Sequence, residues 1–212
     1  MNIGIIGAGS VGRVLAKGFA DAGHTVLISS RDPQSESLFT WKEEIGPACT
    51  VAGFEEATRF GEVIVLAINW SGVEKVIQSI PKDAFKGKVV IDLCNAVEFS
   101  ETPQFALENT TAGELIQQWL PDSQVVKTLN MVGASRMVNP AYEDGTPTMF
   151  LCGNEAAAKN TVIQLLTELG WKDTIDLGDI TRSILLESLM LTCLIGEIRL
   201  QSFGAAFALL RK

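Results

Sequence analysis

Gly7-Ala8-Gly9-Ser10-Val11-Gly12 is the stretch of this 212-residue chain whose residue types and spacing point to chemistry. It follows the apolar segment Asn2-Ile3-Gly4-Ile5-Ile6 and precedes Val14, Leu15, Gly18 and Phe19, which fall at helical spacing. Placed between a strand and a helix, the pattern G-x-G-x-x-G has a mechanism. Its first glycine permits the tight turn, and its second lets a pyrophosphate approach the backbone. The third lets the helix pack closely on the strand. The helix start then offers unpaired N–H groups and a partial positive charge to the phosphates. Gly7, Ala8, Gly9, Ser10, Val11 and Gly12 are therefore read as a nucleotide-binding loop.

The next strand selects the nucleotide. His24-Thr25-Val26-Leu27-Ile28 reads as strand and ends in Ser29-Ser30-Arg31-Asp32. An NAD site usually carries an acidic residue here, about 20 residues beyond the glycines, to hold the ribose 2′-hydroxyl. Ser30 and Arg31 occupy that place instead. A hydroxyl donor beside a planar guanidinium suits a 2′-phosphate, so NADP(H) is expected rather than NAD(H). Asp32-Pro33 reads as a helix cap followed by proline in the first turn.

Short apolar runs alternate with helical stretches along the rest of the chain, the pattern of a mostly parallel sheet covered on both faces. Strands are expected at 62–68, 88–93, 124–129, 147–152 and 172–177. Val73, Val76, Ile77 and Ile80 mark a helix between the first two. Residues 97–110 are polar and aperiodic, a long connection of the kind that often carries function. Thr111-Ala112-Gly113-Glu114 resembles a capping box opening a helix that ends near Pro121. Asn154 is the expected cap of a helix over 155–169, and Asp179 that of a long final helix. The fold class is α/β, a Rossmann-type doubly wound sheet with a strand-helix-strand extension and a C-terminal helix. One domain is expected over 1–212, with its nucleotide-binding core in 1–135 and an integral extension in 136–212.

In such sheets ligands bind outside the carboxyl ends of the strands. That rule selects Ala67, Ile68 and Asn69 after one strand, Asn95 after the next, and Asn130-Met131-Val132-Gly133 after the following one. Asn69 and Asn95 could reach the ribose or nicotinamide, or could satisfy turn backbone. Met131, Val132 and Gly133 are the candidate acceptor-binding residues, either an apolar floor under a second ring system or ordinary packing. No nucleophile with its base and no carboxylate pair stands at these strand ends, so no catalytic side chain is assigned. Hydride transfer between redox cofactors needs alignment and water exclusion more than proton chemistry. No metal is expected, because His24 is the single histidine and reads as a surface turn residue.

A net charge of -8 and a pI near 4.7 argue against nucleic acid or an anionic membrane as partner. Cys49, Cys94, Cys152 and Cys193 are scattered without a C-x-x-C pair, which fits a reduced, cytoplasmic chain. Cys94 and Cys152 lie in apolar runs and read as core. No signal peptide is recognised, since strand-type sequence follows Met1 without a basic segment. Residues 184–210 are strongly apolar, but Glu187, Glu197, Arg199 and Gln201 interrupt them. A buried or dimer-forming helix is expected there rather than a membrane span.

Taken together, these segments resemble the coenzyme F420-dependent NADP oxidoreductase family, and are similar also to the reductase domain of the STEAP ferric reductases. The matching stretches are 3–12, Ala22-Gly23-His24 with Ser30-Arg31-Asp32, 63–70, Val89-Val90-Ile91-Asp92 and Val125-Val126-Lys127-Thr128-Leu129-Asn130. Cys152-Gly153-Asn154 and Leu186-Glu187-Ser188-Leu189 complete the match. The resemblance implies that the glycine loop, Ser30 and Arg31 hold NADP and that the Ile68-Asn69 backbone passes the nicotinamide. It implies also that Met131, Val132 and the final helix border F420, FMN or a similar acceptor. The chain departs from the family in carrying Asn69 where a proline often precedes the tryptophan matching Trp70. It also reads Met190-Leu191-Thr192-Cys193 where several bacterial members carry a tryptophan. Two other readings use the same residues, an NADP(H)-binding sensor without turnover and a pyrroline-5-carboxylate reductase-like enzyme. The latter needs a longer helical domain than 136–212 provides.

Overall fold

Val63, Ile64, Val65 and Leu66 are buried at every position, a pattern possible only in a sheet covered on both faces. They form strand β4 (Val63–Leu66) of a computed structural model that describes residues 1–143 and 145–211. Beside β4 lie β1 (Asn2–Ile6) and β5 (Val89–Asp92), and β2 (Thr25–Ser29) lies beyond β1. The glycine loop leads from β1 into helix α1 (Ser10–Asp21). Helix α2 (Glu36–Ile45), edge strand β3 (Cys49–Ala52) and helix α3 (Phe54–Phe60) follow β2. Helix α4 (Trp70–Ser79) joins β4 to β5. A two-stranded antiparallel ribbon, β6 (Val97–Glu98) and β7 (Gln104–Phe105), then precedes α5 (Ala112–Trp119) and β8 (Gln124–Lys127). The extension is β9 (Thr148–Gly153), α6 (Ala156–Glu168) and β10 (Asp173–Asp176), and the long helix α7 (Ser183–Leu200) comes last.

The sheet order is β10-β9-β8-β5-β4-β1-β2-β3. Every pairing is parallel except β8 with β9, where Val126 faces Gly153 and Lys127 faces Cys152. Chain order reverses between β1 and β4, and that reversal opens the crevice in which doubly wound sheets bind ligands. The Rossmann-type reading is therefore correct, including the strand-helix-strand extension, whose two strands pair in parallel.

Several local expectations fail for physical reasons. Asp32 does not cap a helix: its Oδ1 accepts from Gln34 N at 3.1 Å in a turn, and α2 starts only after Ser35. Asn154 does not cap α6; its Oδ1 accepts from Ile180 N at 3.0 Å and ties the extension to the approach of α7. His24 is not a surface residue but 8 % exposed, its Nε2 lying 2.7 Å from a Glu168 carboxylate oxygen of α6. The 97–110 connection is long, as expected, and folds back in part as the β6–β7 ribbon. The Thr111 capping box forms as expected, with Thr111 Oγ1 accepting from Glu114 N at 3.1 Å. Asp179 caps the short 3-10 turn that runs into α7. Cys94 and Cys152 are core residues, 2 % and 0 % exposed. No helix among the described residues is long and apolar enough to cross a membrane.

Candidate functional site

Close packing at the carboxyl ends of β1 and β4 fixes the shape of the glycine loop. Gly7 sits at φ +115°, and a Cβ there would stand 2.3 Å from the Ala67 carbonyl oxygen. A Cβ on Gly12 would lie 1.9 Å from the Gly7 oxygen, so the first turn of α1 can approach β1 only with glycine. Gly9 differs, since a Cβ there would meet nothing within 4 Å. It faces open space and is the N-cap of α1. No side chain caps that end, and no acidic residue stands in its first turn. The N–H groups that lack intrahelical partners are thus left for an anion.

A cleft of about 860 Å³ opens over this loop. It brings together Gly7, Ala8, Gly9, Ser10 and Val11, Ser30 and Arg31 from the end of β2, and Ala67, Ile68 and Asn69 from the end of β4. Gly12 is buried behind them. Ser30 Oγ accepts from Asp32 N at 3.2 Å, which leaves its own proton to donate outward. Arg31 is exposed and joins no ion pair among the described residues.

Sequence reasoning missed two cations in the same cleft, Arg13 and Lys75. Arg13 donates from Nε to the Ala8 carbonyl at 3.0 Å and from Nη2 to Ser37 Oγ at 3.1 Å, with Trp41 beneath its guanidinium. It therefore pins α2 to the glycine loop. Lys75 stands on α4, on the wall that starts at Asn69. Neither belongs to the glycine pattern or to the end of a strand, so no local signal marks it.

A smaller recess of about 180 Å³ continues the cleft toward β5 and β8. Val11, Ala67, Ile68 and Asn69 border both spaces, and the recess adds Leu93, Asn95, Asn130, Val132 and Phe99. Val132 is thus beside Asn95, whereas Met131 is 2 % exposed and does not border the recess. Gly133 is exposed at the start of a 3-10 turn and borders neither space. Asn69 is exposed, and its side chain does not cap α4. Trp70 stacks on Trp119 at 5.8 Å between ring centroids, packing α4 against α5, and also borders the recess.

Beneath the recess lies a charged cluster whose side chains are closed off from solvent. Lys127 Nζ is 2.8 Å from Asp92 Oδ2, 2.5 Å from the Cys94 carbonyl oxygen and 3.2 Å from Glu187 Oε1. Asp92 Oδ1 accepts from Cys94 N at 2.7 Å, and Glu187 Oε1 accepts from Gly113 N at 3.3 Å. Burial works against the Lys127 charge, but the Asp92 and Glu187 carboxylates outweigh it and raise its pKa. The cluster joins β5, β8 and α7 at the level where the recess begins. Sequence offered one signal for it: a lysine inside the apolar run Val125-Val126-Lys127-Thr128-Leu129 must find a partner.

A family model described as NADP oxidoreductase, coenzyme F420-dependent, matches residues 2–96. The crystal structure of a protein from Arthrobacter sp. FB24, proposed to be an F420-dependent NADP-reductase, is 34 % identical and covers 100 % of both chains at a TM-score of 0.93. The F420-dependent NADP reductase of Methanocaldococcus jannaschii is 26 % identical over 203 residues, 89 % of each chain. Metalloreductase STEAP3 of Rattus norvegicus is 27 % identical over 194 residues, 91 % of this chain. This chain spans only 37 % of that metalloreductase's length.

Proposed function

The chain belongs to the coenzyme F420-dependent NADP oxidoreductase family, and from that premise we propose that it passes a hydride between NADPH and a planar acceptor, coenzyme F420 or a flavin such as FMN. An NADP-dependent oxidoreductase is what the family establishes. The acceptor is the further step.

One observation carries the reading: the phosphate-ready cleft and the recess share Val11, Ala67, Ile68 and Asn69. A dinucleotide anchored at the glycine loop has its redox end directed along that wall. NADP(H) supplies the two-electron chemistry itself. Gly7 to Gly12 hold its pyrophosphate, with Ser30 and Arg31 on the 2′-phosphate. Ala67, Ile68, Asn69 and Asn95 shape the far end. We assign the acceptor to the side bordered by Val132, with Met131 and Gly133 as its support, and the rate enhancement to alignment and exclusion of water.

Ile184, Leu185, Ile195 and Ile198 stand exposed on α7. We propose that a second copy of the chain covers them in a homodimer. The four free cysteines fit the cytoplasm, where thiols stay reduced.

The deciding experiment is NADPH oxidation by the purified protein with F420 and FMN as separate acceptors and NADH as the control donor. The expected result is turnover with at least one acceptor and a strong preference for NADPH over NADH. Tight NADPH binding without turnover on either would replace the reading with an NADP(H)-binding sensor.

A further inference from the structure

Asn130 lies just beyond β8 and is 4 % exposed. Its Nδ2 donates to Asn95 Oδ1 at 2.8 Å and to the Leu186 carbonyl oxygen of α7 at 3.1 Å. Asn95 Nδ2 returns a bond to the Asn130 backbone oxygen at 2.9 Å. These contacts fix which way round the Asn130 amide lies, because turning it over would set its oxygen against two acceptors. Its Oδ1 is buried and has no partner among the described residues. Among the described residues Tyr142 Oη shares that condition, but only Asn130 borders the recess.

A buried carbonyl oxygen held in place and given no donor is costly to fold, and such an atom calls for an explanation. The recess that Asn130 borders, about 180 Å³, has room for a single six-membered ring with a small polar substituent, whose entry would have to open a path to the buried oxygen. We infer that Asn130 Oδ1 is the acceptor for the carboxamide N–H of the nicotinamide, and that Asn130 is thereby a positioning residue for the redox ring. The inference rests on the NADP(H) reading above. Asn95 and the Leu186 backbone hold the amide in orientation, so the last helix takes part in the site without touching the ligand.

The test is equilibrium binding of three probes, 2′,5′-ADP, NADP+ and its 3-acetylpyridine analogue, in which an acetyl group replaces the carboxamide and removes its N–H. The wild-type protein should bind the analogue about tenfold more weakly than NADP+. In Asn130→Ala the affinity for NADP+ should fall to that of the analogue, while 2′,5′-ADP binds as before. A merely structural role for Asn130 would not erase the preference for the N–H donor. Equal wild-type affinity for NADP+ and the analogue overturns the inference, even if Asn130→Ala does not fold. An undiminished preference in a variant that still binds 2′,5′-ADP overturns it as well. Failure of the wild type to bind 2′,5′-ADP removes the NADP(H) reading itself, and this inference with it.

Discussion

The two ends of the ligand crevice solve opposite problems with similar groups. At the glycine loop the donors are left open: no side chain caps α1, Gly9 faces empty space, and Arg31 joins no ion pair among the described residues. Beneath the recess the polar groups are spent on one another, with Lys127, Asp92 and Glu187 locked among buried neighbours. Unpaired donors in contact with water cost little to maintain and can be turned over to a ligand. Paired charges in a dry interior cannot be withdrawn without large loss, so they align backbone rather than bind. Asn130 Oδ1 lies where the two regimes meet, an acceptor held by the second and left free like the first.

The strongest way to break this comparison is to remove the central cation. Lys127→Met keeps the volume but strands two buried carboxylates, and it should cost about 3–5 kcal/mol of unfolding free energy in urea. In protein that remains folded, 2′,5′-ADP should bind as in the wild type. A loss under about 1 kcal/mol, or a matching loss of nucleotide affinity, would show that the two ends are not separate in kind. A smaller effect is expected at the open end. Arg31→Ala should weaken NADPH binding about tenfold, with the exposed guanidinium at the low end of charge-assisted bonds. NADH affinity and unfolding free energy should stay unchanged. Equal losses for NADPH and NADH would mean that Arg31 does not touch the 2′-phosphate.

The same contrast explains what was legible in the sequence. The open end is local: the glycine loop, Ser30 and Arg31 each follow directly from a strand, and their purpose can be read from one stretch of chain. The capping box at Thr111 is local in the same way. The buried cluster depends on three segments that meet only in the fold, Asp92, Lys127 and Glu187. Asn130 was passed over in favour of Met131, Val132 and Gly133 because the value of its amide depends on Asn95 and Leu186. Strand β3 and helix α3 are too short for periodicity to declare them. Asn154 and Asp32 have the residue type of helix caps, yet each donor they satisfy lies elsewhere, at Ile180 and Gln34. His24 looks like a turn residue until Glu168 arrives beside it from α6.

An effect that vanishes at neutral pH concerns Cys94, whose carbonyl oxygen and N–H belong to the buried cluster. Burial, reinforced by the neighbouring Asp92 charge, pushes its thiol well above the ordinary range. In the unfolded chain the same thiol ionises near pH 8.5. A group whose pKa is raised on folding stabilises fully below its unfolded pKa and loses that contribution as pH climbs toward the folded value. The wild-type protein should therefore lose about 1.4 kcal/mol more stability per pH unit above pH 9 than Cys94→Ala, and show no such difference at pH 7. Urea unfolding of both proteins at pH 7, 9 and 10 measures the divergence. Parallel curves would mean that Cys94 ionises as easily in the fold as outside it. Water would then reach the cluster, and the floor of the recess would be as wet as the glycine loop.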